Sequence, residues 1–130
     1  LCKDLNFTEE DRVENIRRIG EVVNLFLDAG LIVLCSFVSP FERDRESVKQ
    51  LVGKHRFIEV FVDCPLEVCE DRDVKGLYEK ARAGVIKDFT GISSPFEDPK
   101  APDIIVKTAE EDTQASLEKL LTFVLPKVSD

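Results

Sequence analysis

The chain has 130 residues, 43% of them hydrophobic and 34% charged, with a formal net charge of −8. That is the composition of one globular domain able to build a core. It excludes a membrane-spanning chain, since no apolar run nears the ~20 residues a span needs. It also argues against a nucleic-acid binder, which wants a basic face.

The chain opens on Leu1 and shows no signal peptide. It reads from its first residue as mid-domain sequence, so we expect a cytoplasmic protein with any organelle address lying upstream. Four cysteines stand at 2, 35, 64 and 69 and the one histidine is His55. None of them makes a Cys-x-x-Cys pair, and no metal site is expected. Cys35 sits in an apolar run and is read as core, in a reducing compartment.

Leu1 to Phe7 is a short approach. Thr8 with Asp11 three residues on predicts a capped helix from about Glu9 to Ala29. Val13, Ile16, Ile19, Val23 and Phe26 or Leu27 form its apolar face, and Gly30 stops it. Arg12 and Asn15 share a face near its start; read alone, they are surface residues.

Leu31 to Phe37 is an apolar, partly β-branched run, read as a buried strand of a parallel sheet. Ser39, Pro40 and Glu42 then suit the cap, first position and box partner of a helix reaching about Val52. The end of a strand entering a helix is where open α/β sheets hold ligands. Ser39 is therefore a candidate site residue, or a plain cap.

Gly53 to Arg56 reads as a turn with an exposed His55. Phe57 to Asp63 is the second predicted strand, and Pro65 begins a short helix from Leu66 to Arg72. Arg72 to Ile92 follows, with five basic residues against three acidic ones in an otherwise acidic chain. It carries Gly76, Gly84 and Gly91 and ends in Phe89-Thr90-Gly91. Cations, hinge glycines and a ring suit a lid over a small anion. The alternative is a solvated helix over Gly76 to Ala83. Residues 93–102 form a proline-rich loop, Asp103 to Lys107 a third strand, and Glu110 to Leu125 a last helix. Alternating strands and helices without repeats predict one α/β domain over residues 1–130, with the lid at about 72–92.

Six runs in order resemble the adenylylsulfate (APS) kinase family. They are Lys3-Asp4-Leu5-x-Phe7, Glu10-Asp11-Arg12-x-Glu14-Asn15-Ile16-Arg17-Arg18, Phe37-Val38-Ser39-Pro40-Phe41 and Asp73-Val74-Lys75-Gly76-Leu77-Tyr78, followed by Ala81-Arg82-Ala83-Gly84-x-Ile86-Lys87 and Phe89-Thr90-Gly91-Ile92. Cys2, Asn6 and Val85 depart from the family's usual residues, at positions without an assigned chemical role.

The resemblance implies a P-loop NTPase-like parallel sheet flanked by helices. It implies a transferase of sulfate assimilation that moves the γ-phosphate of ATP, with Mg2+, to the 3′-hydroxyl of adenosine 5′-phosphosulfate (APS). The product is 3′-phosphoadenosine 5′-phosphosulfate (PAPS). By the same resemblance Phe7 and Phe89 sandwich the APS adenine, Arg12 and Asn15 hold APS, and Val38 and Ser39 line its site. Lys75 is the lid lysine, with Asp88 and Phe89 beside the substrate. Arg72 and Lys107-Thr108-Ala109 match the part that holds the ATP adenine. Ser39 matches the family serine described as a phosphoserine intermediate; direct in-line attack needs no such intermediate, so we expect it to position or cap. The family is commonly homodimeric, and fusion to or association with an ATP sulfurylase stays open.

No G-x-x-x-x-G-K-[ST] occurs in the chain, nor the family's Asp-Gly-Asp segment. The chain thus reads as an APS kinase lacking its N-terminal strand–P-loop–helix unit. These 130 residues alone are expected to be poorly stable and not to turn over ATP. Two alternatives remain: an inactive APS- or PAPS-binding remnant, and a P-loop kinase for another hydroxyl substrate.

Overall fold

The computed structural model describes residues 1–128. Its contacts group into two units, residues 1–57 with 95–98, and residues 58–94 with 99–130.

The first unit begins with α1, Glu9–Asp28, whose N-terminus Thr8 caps by accepting from the Asp11 N–H. α2, Glu42–Val52, packs along α1. The seam is close because α1 presents Gly20: a Cβ there would stand 3.2 Å from Val48 Cγ2 and 3.3 Å from Leu51 Cδ2. Ile16, Phe41 and Val52 are buried in this unit. Arg56, in a 3-10 turn, ties the two C-terminal ends together. Its Nε donates to the Val52 carbonyl at 2.6 Å, Nη1 to Asp28 at 2.7 Å and Nη2 to Asn24 at 3.0 Å. A cation at a helix C-terminus also meets the favourable end of its dipole.

The start of α2 departs from the sequence reading. Ser39 does not cap and Pro40 is not the first helical residue. Phe41 precedes the helix without a side-chain cap, and the Glu97 carboxylate accepts from the Glu42 N–H at 2.7 Å. Arg45 secures the same corner, donating to the Ser39 carbonyl at 2.7 Å and the Glu97 carbonyl at 2.8 Å. The cap comes from a distant loop, which no local pattern announces.

The predicted strand Leu31–Phe37 is a second correction. Residues 31–41 make no ladder, and Leu34 is 91% exposed. An apolar run becomes a strand only with a neighbour to pair with, and among the described residues none pairs with it. Cys35, expected in the core, is exposed there.

The second unit holds a parallel pair, β1 Val60–Asp63 and β2 Ile104–Lys107, in register from Val60↔Ile104 to Asp63↔Lys107. The segment between them carries α3, Leu66–Arg72, and α4, Leu77–Arg82. α5, Thr113–Val128, packs on β2, whose Val106 is buried. It starts three residues later than predicted because Asp112 accepts from the Ala115 N–H at 2.8 Å. Among the described residues no helix is long and apolar enough to cross a membrane.

Candidate functional site

In the first unit, the approach to α1 is folded back onto the helix. The Asp11 carboxylate accepts from the Asn6 N–H at 2.9 Å, and Arg12 Nε donates to the Phe7 carbonyl at 3.0 Å. Arg18 completes the fastening with paired bonds of 2.8 and 2.9 Å to Asp4 and one of 2.8 Å to Glu14. Arg17 and Arg18 together hold the Glu14 carboxyl down at about 2. The Phe7 ring is left 75% exposed beside a fixed arginine, as a stacking platform requires. Asn15 is half-buried one turn along α1.

Val38 is exposed and Ser39 half-buried on the segment entering α2. Ser39 adopts φ 41°, in the left-handed region. That conformation costs a non-glycine residue about 1–2 kcal/mol. The Arg45 bond to its carbonyl and the Glu97 N–H bond to the Pro40 carbonyl (2.8 Å) hold it there.

In the second unit, Phe89 and Tyr78 meet edge to face, centroids 5.0 Å apart at 72°. The Phe89 N–H donates to Ser93 Oγ at 2.9 Å. Asp88, at φ 53°, is the other non-glycine residue with positive φ among those described. Lys75 is exposed, just ahead of α4. Asp73 shapes that entry by accepting from the Tyr78 and Glu79 N–H groups, both at 3.0 Å, and these bonds lower its pKa. Arg82 grips Glu70 with bonds of 2.6 and 2.9 Å, joining α4 to α3. The proposed lid is thus a short anchored helix with a free lysine before it and a ring after it.

Arg72 and the Lys107-Thr108-Ala109 stretch also lie in this unit. Arg72 Nη2 donates to the Thr108 carbonyl at 2.6 Å, and Nη1 lies 3.4 Å from Thr108 Oγ1. The Thr108 N–H continues the β ladder by donating to the Asp63 carbonyl at 3.0 Å. Lys107 is tied through its N–H to Glu111 at 2.5 Å, and Ala109 is exposed in the turn that follows. Arg72 and Thr108, 36 residues apart, are therefore neighbours.

Phe7, Arg12, Asn15, Val38 and Ser39 thus fall in one unit; Lys75, Asp88, Phe89, Arg72 and Lys107 to Ala109 fall in the other. Sequence reasoning gave no role to Tyr78, Asp73 or the Glu70–Arg82 pair. Asp73 could have been found as a carboxylate just ahead of a helix start. The other contacts have no short-range signal. No group of three His, Cys, Asp or Glu side chains among the described residues is placed to hold a metal ion.

Comparison with known proteins identifies the family. The family model described as adenylylsulphate kinase matches residues 1–107. The adenylyl-sulfate kinase of Acaryochloris marina is 57% identical over 124 residues, covering 95% of this chain and 60% of its own length. That of Clostridium kluyveri is 54% identical over 130 residues, covering 100% and 65%. The chain therefore spans under two thirds of the length of these relatives. Among solved structures, the Mycobacterium tuberculosis APS kinase CysC in complex with AMPPNP and APS superposes with a TM-score of 0.86. It is 40% identical, covering 94% of this chain and 71% of its own. With the fold, the six runs and these relatives in agreement, the chain belongs to the adenylylsulphate kinase family.

Proposed function

We propose that this chain supplies the APS pocket, the lid and the adenine-side contact of a kinase that phosphorylates APS at its 3′-hydroxyl, with ATP and Mg2+ as co-substrate. The observation that carries the reading is the family membership combined with the presence of every pocket residue named above. Phe7 and Phe89 offer ring faces for a flat base. Arg12, oriented by the Phe7 carbonyl, supplies a guanidinium for the phosphosulfate, and Asn15 adds an amide one turn away. Lys75 brings a mobile cation over the transferring group. Arg72, clamped on Thr108, shapes the edge against which the ATP adenine rests.

Phosphoryl transfer asks mainly for positioning and charge neutralisation. The 3′-hydroxyl oxygen attacks the γ-phosphorus, the bond to the β-γ bridging oxygen breaks, and ADP leaves. Ser39 lines the pocket and keeps its hydroxyl. Magnesium bound to ATP would neutralise charge on its phosphates. A homodimer in the cytoplasm, with or without an ATP sulfurylase partner, is the setting this reading proposes.

Calorimetric titration of APS into Phe7→Ala and Phe89→Ala tests it. Base stacking on a ring is worth about 1–3 kcal/mol, so each variant should bind roughly 5- to 150-fold more weakly. Unchanged APS affinity in both folded variants would point to a different hydroxyl substrate. APS binding without ATP binding would favour the non-catalytic reading.

A further inference from the structure

Two thiols meet where β1 runs into α3. The Cys69 thiol donates to the Cys64 carbonyl at 3.9 Å, and the two side chains are hydrogen-bond neighbours. Arg72 Nη1 donates to the Cys64 sulfur at 3.8 Å, and Tyr78 hydrogen-bonds Cys69. Both cysteines are half-buried and free. The arginine that faces this pair is the one that grips Thr108.

We propose that Cys64 and Cys69 are a redox pair, closed to an intrachain disulfide by a low-molecular-weight disulfide, and that closure loosens the hold of Arg72 on Thr108. The second half rests on the reading of Arg72 and Thr108 as the ATP side. Cys64, just ahead of α3, and Cys69, within its first turn, are hydrogen-bond neighbours, and closure brings their sulfurs to the ~2.05 Å of a disulfide. Closure engages the Cys64 sulfur that Arg72 now contacts. Arg72 follows Cys69 by three residues on α3, so a shift of that turn moves its base.

The chemistry balances as thiol–disulfide exchange. The Cys64 thiolate attacks one sulfur of the small disulfide, and the first small thiolate leaves and takes up the proton Cys64 gave up. The Cys69 thiolate then attacks the Cys64 sulfur of the mixed disulfide and expels the second small thiol, which takes up Cys69's proton. Two protein thiols are oxidised by two electrons, and one disulfide is reduced to two thiols. Burial holds the Cys69 thiol above its ordinary range, and Arg72 stands against the sulfur of the attacking Cys64.

The test treats the polypeptide isolated from its native source with oxidised glutathione, alkylates it and maps the cysteines by mass. The expected result is a 64–69 peptide lighter by two hydrogens, unalkylated, restored by dithiothreitol and absent from Cys64→Ser. The Kd for ATP should rise several-fold in the oxidised wild type and stay constant in oxidised Cys69→Ser. Free alkylation of both cysteines, a lasting glutathione adduct, or a cross-link to Cys2 or Cys35 would overturn the pair. A formed disulfide with unchanged ATP affinity would overturn the coupling to Arg72. Failure of the reduced wild type to bind ATP would sink the ATP-side reading, while the mass map still decides the pair.

Discussion

Ser39→Ala removes one hydroxyl and leaves its backbone in place. The strained φ of 41° is imposed by the bonds to the Ser39 and Pro40 carbonyls, and alanine meets the same strain as serine. The pocket wall should keep its shape, so the variant isolates what the hydroxyl does. One hydrogen bond is worth about 0.5–1.5 kcal/mol, which corresponds to a loss of roughly 2- to 13-fold in turnover. An obligatory phosphoserine would behave differently, since removing a nucleophile costs on the order of 10^6 in rate. The assay is ADP release at saturating ATP and APS, using the polypeptide isolated from its native source, beside APS calorimetry and circular dichroism. A loss beyond about 10^4 with binding and fold intact would falsify the positioning role. Ser39→Gly adds a check on the strain itself: its thermal midpoint should rise, because glycine takes positive φ freely.

Three further outcomes follow from the structure. Gly20→Ala gains about 1 kcal/mol of helix propensity but sets a methyl 3.2 Å from the stiff Val48, where overpacking costs about 1–3 kcal/mol. The urea midpoint should fall, and a rise would show that α1 and α2 can separate at no cost. Glu14, held at about 2 by Arg17 and Arg18, adds stability that is complete above its usual 4.5 and is lost as pH falls from there toward 2. Glu14→Gln should therefore flatten that part of the stability–pH curve, and an unchanged slope would contradict the pairing. Ile32→Lys with Leu34→Lys should keep the 130-residue polypeptide soluble at concentrations where the parent aggregates, because both side chains stand in water. Equal light scattering from the two would count against that segment as the cause.

Elements with local causes were legible. α1 carries its own cap at Thr8 and its own periodic face, and it was placed within a residue. α3 begins after Pro65 as expected. The parallel pairing of β1 with β2 followed from alternation of strands and helices. What failed depended on distant residues. Leu31–Phe37 looked like a strand by composition, but composition does not supply a partner. α2 looked capped by Ser39, yet Glu97 does the capping. The site divides the same way. Cations, glycines and Phe89 suggested a lid from the residues alone, whereas the roles of Arg12, Asn15, Arg72 and Lys107 to Ala109 came from the family resemblance, and the Arg72–Thr108 contact came from the structure. The Tyr78 ring against Phe89 and the Glu70–Arg82 grip join residues 11 and 12 positions apart, beyond the reach of helical spacing.

The Glu97 cap also sets an order of events on the ribosome. Glu97 lies 55 residues beyond the N–H it satisfies. At synthesis rates of about 5–20 residues per second, roughly 3–11 s separate the emergence of the two. During that interval α2 can wind at its C-terminal end, but its first turn stays uncapped. Arg45 meanwhile lacks its Glu97 carbonyl, and nothing holds the Pro40 carbonyl. The Ser39 corner is therefore moulded only once the loop that carries Glu97 has emerged.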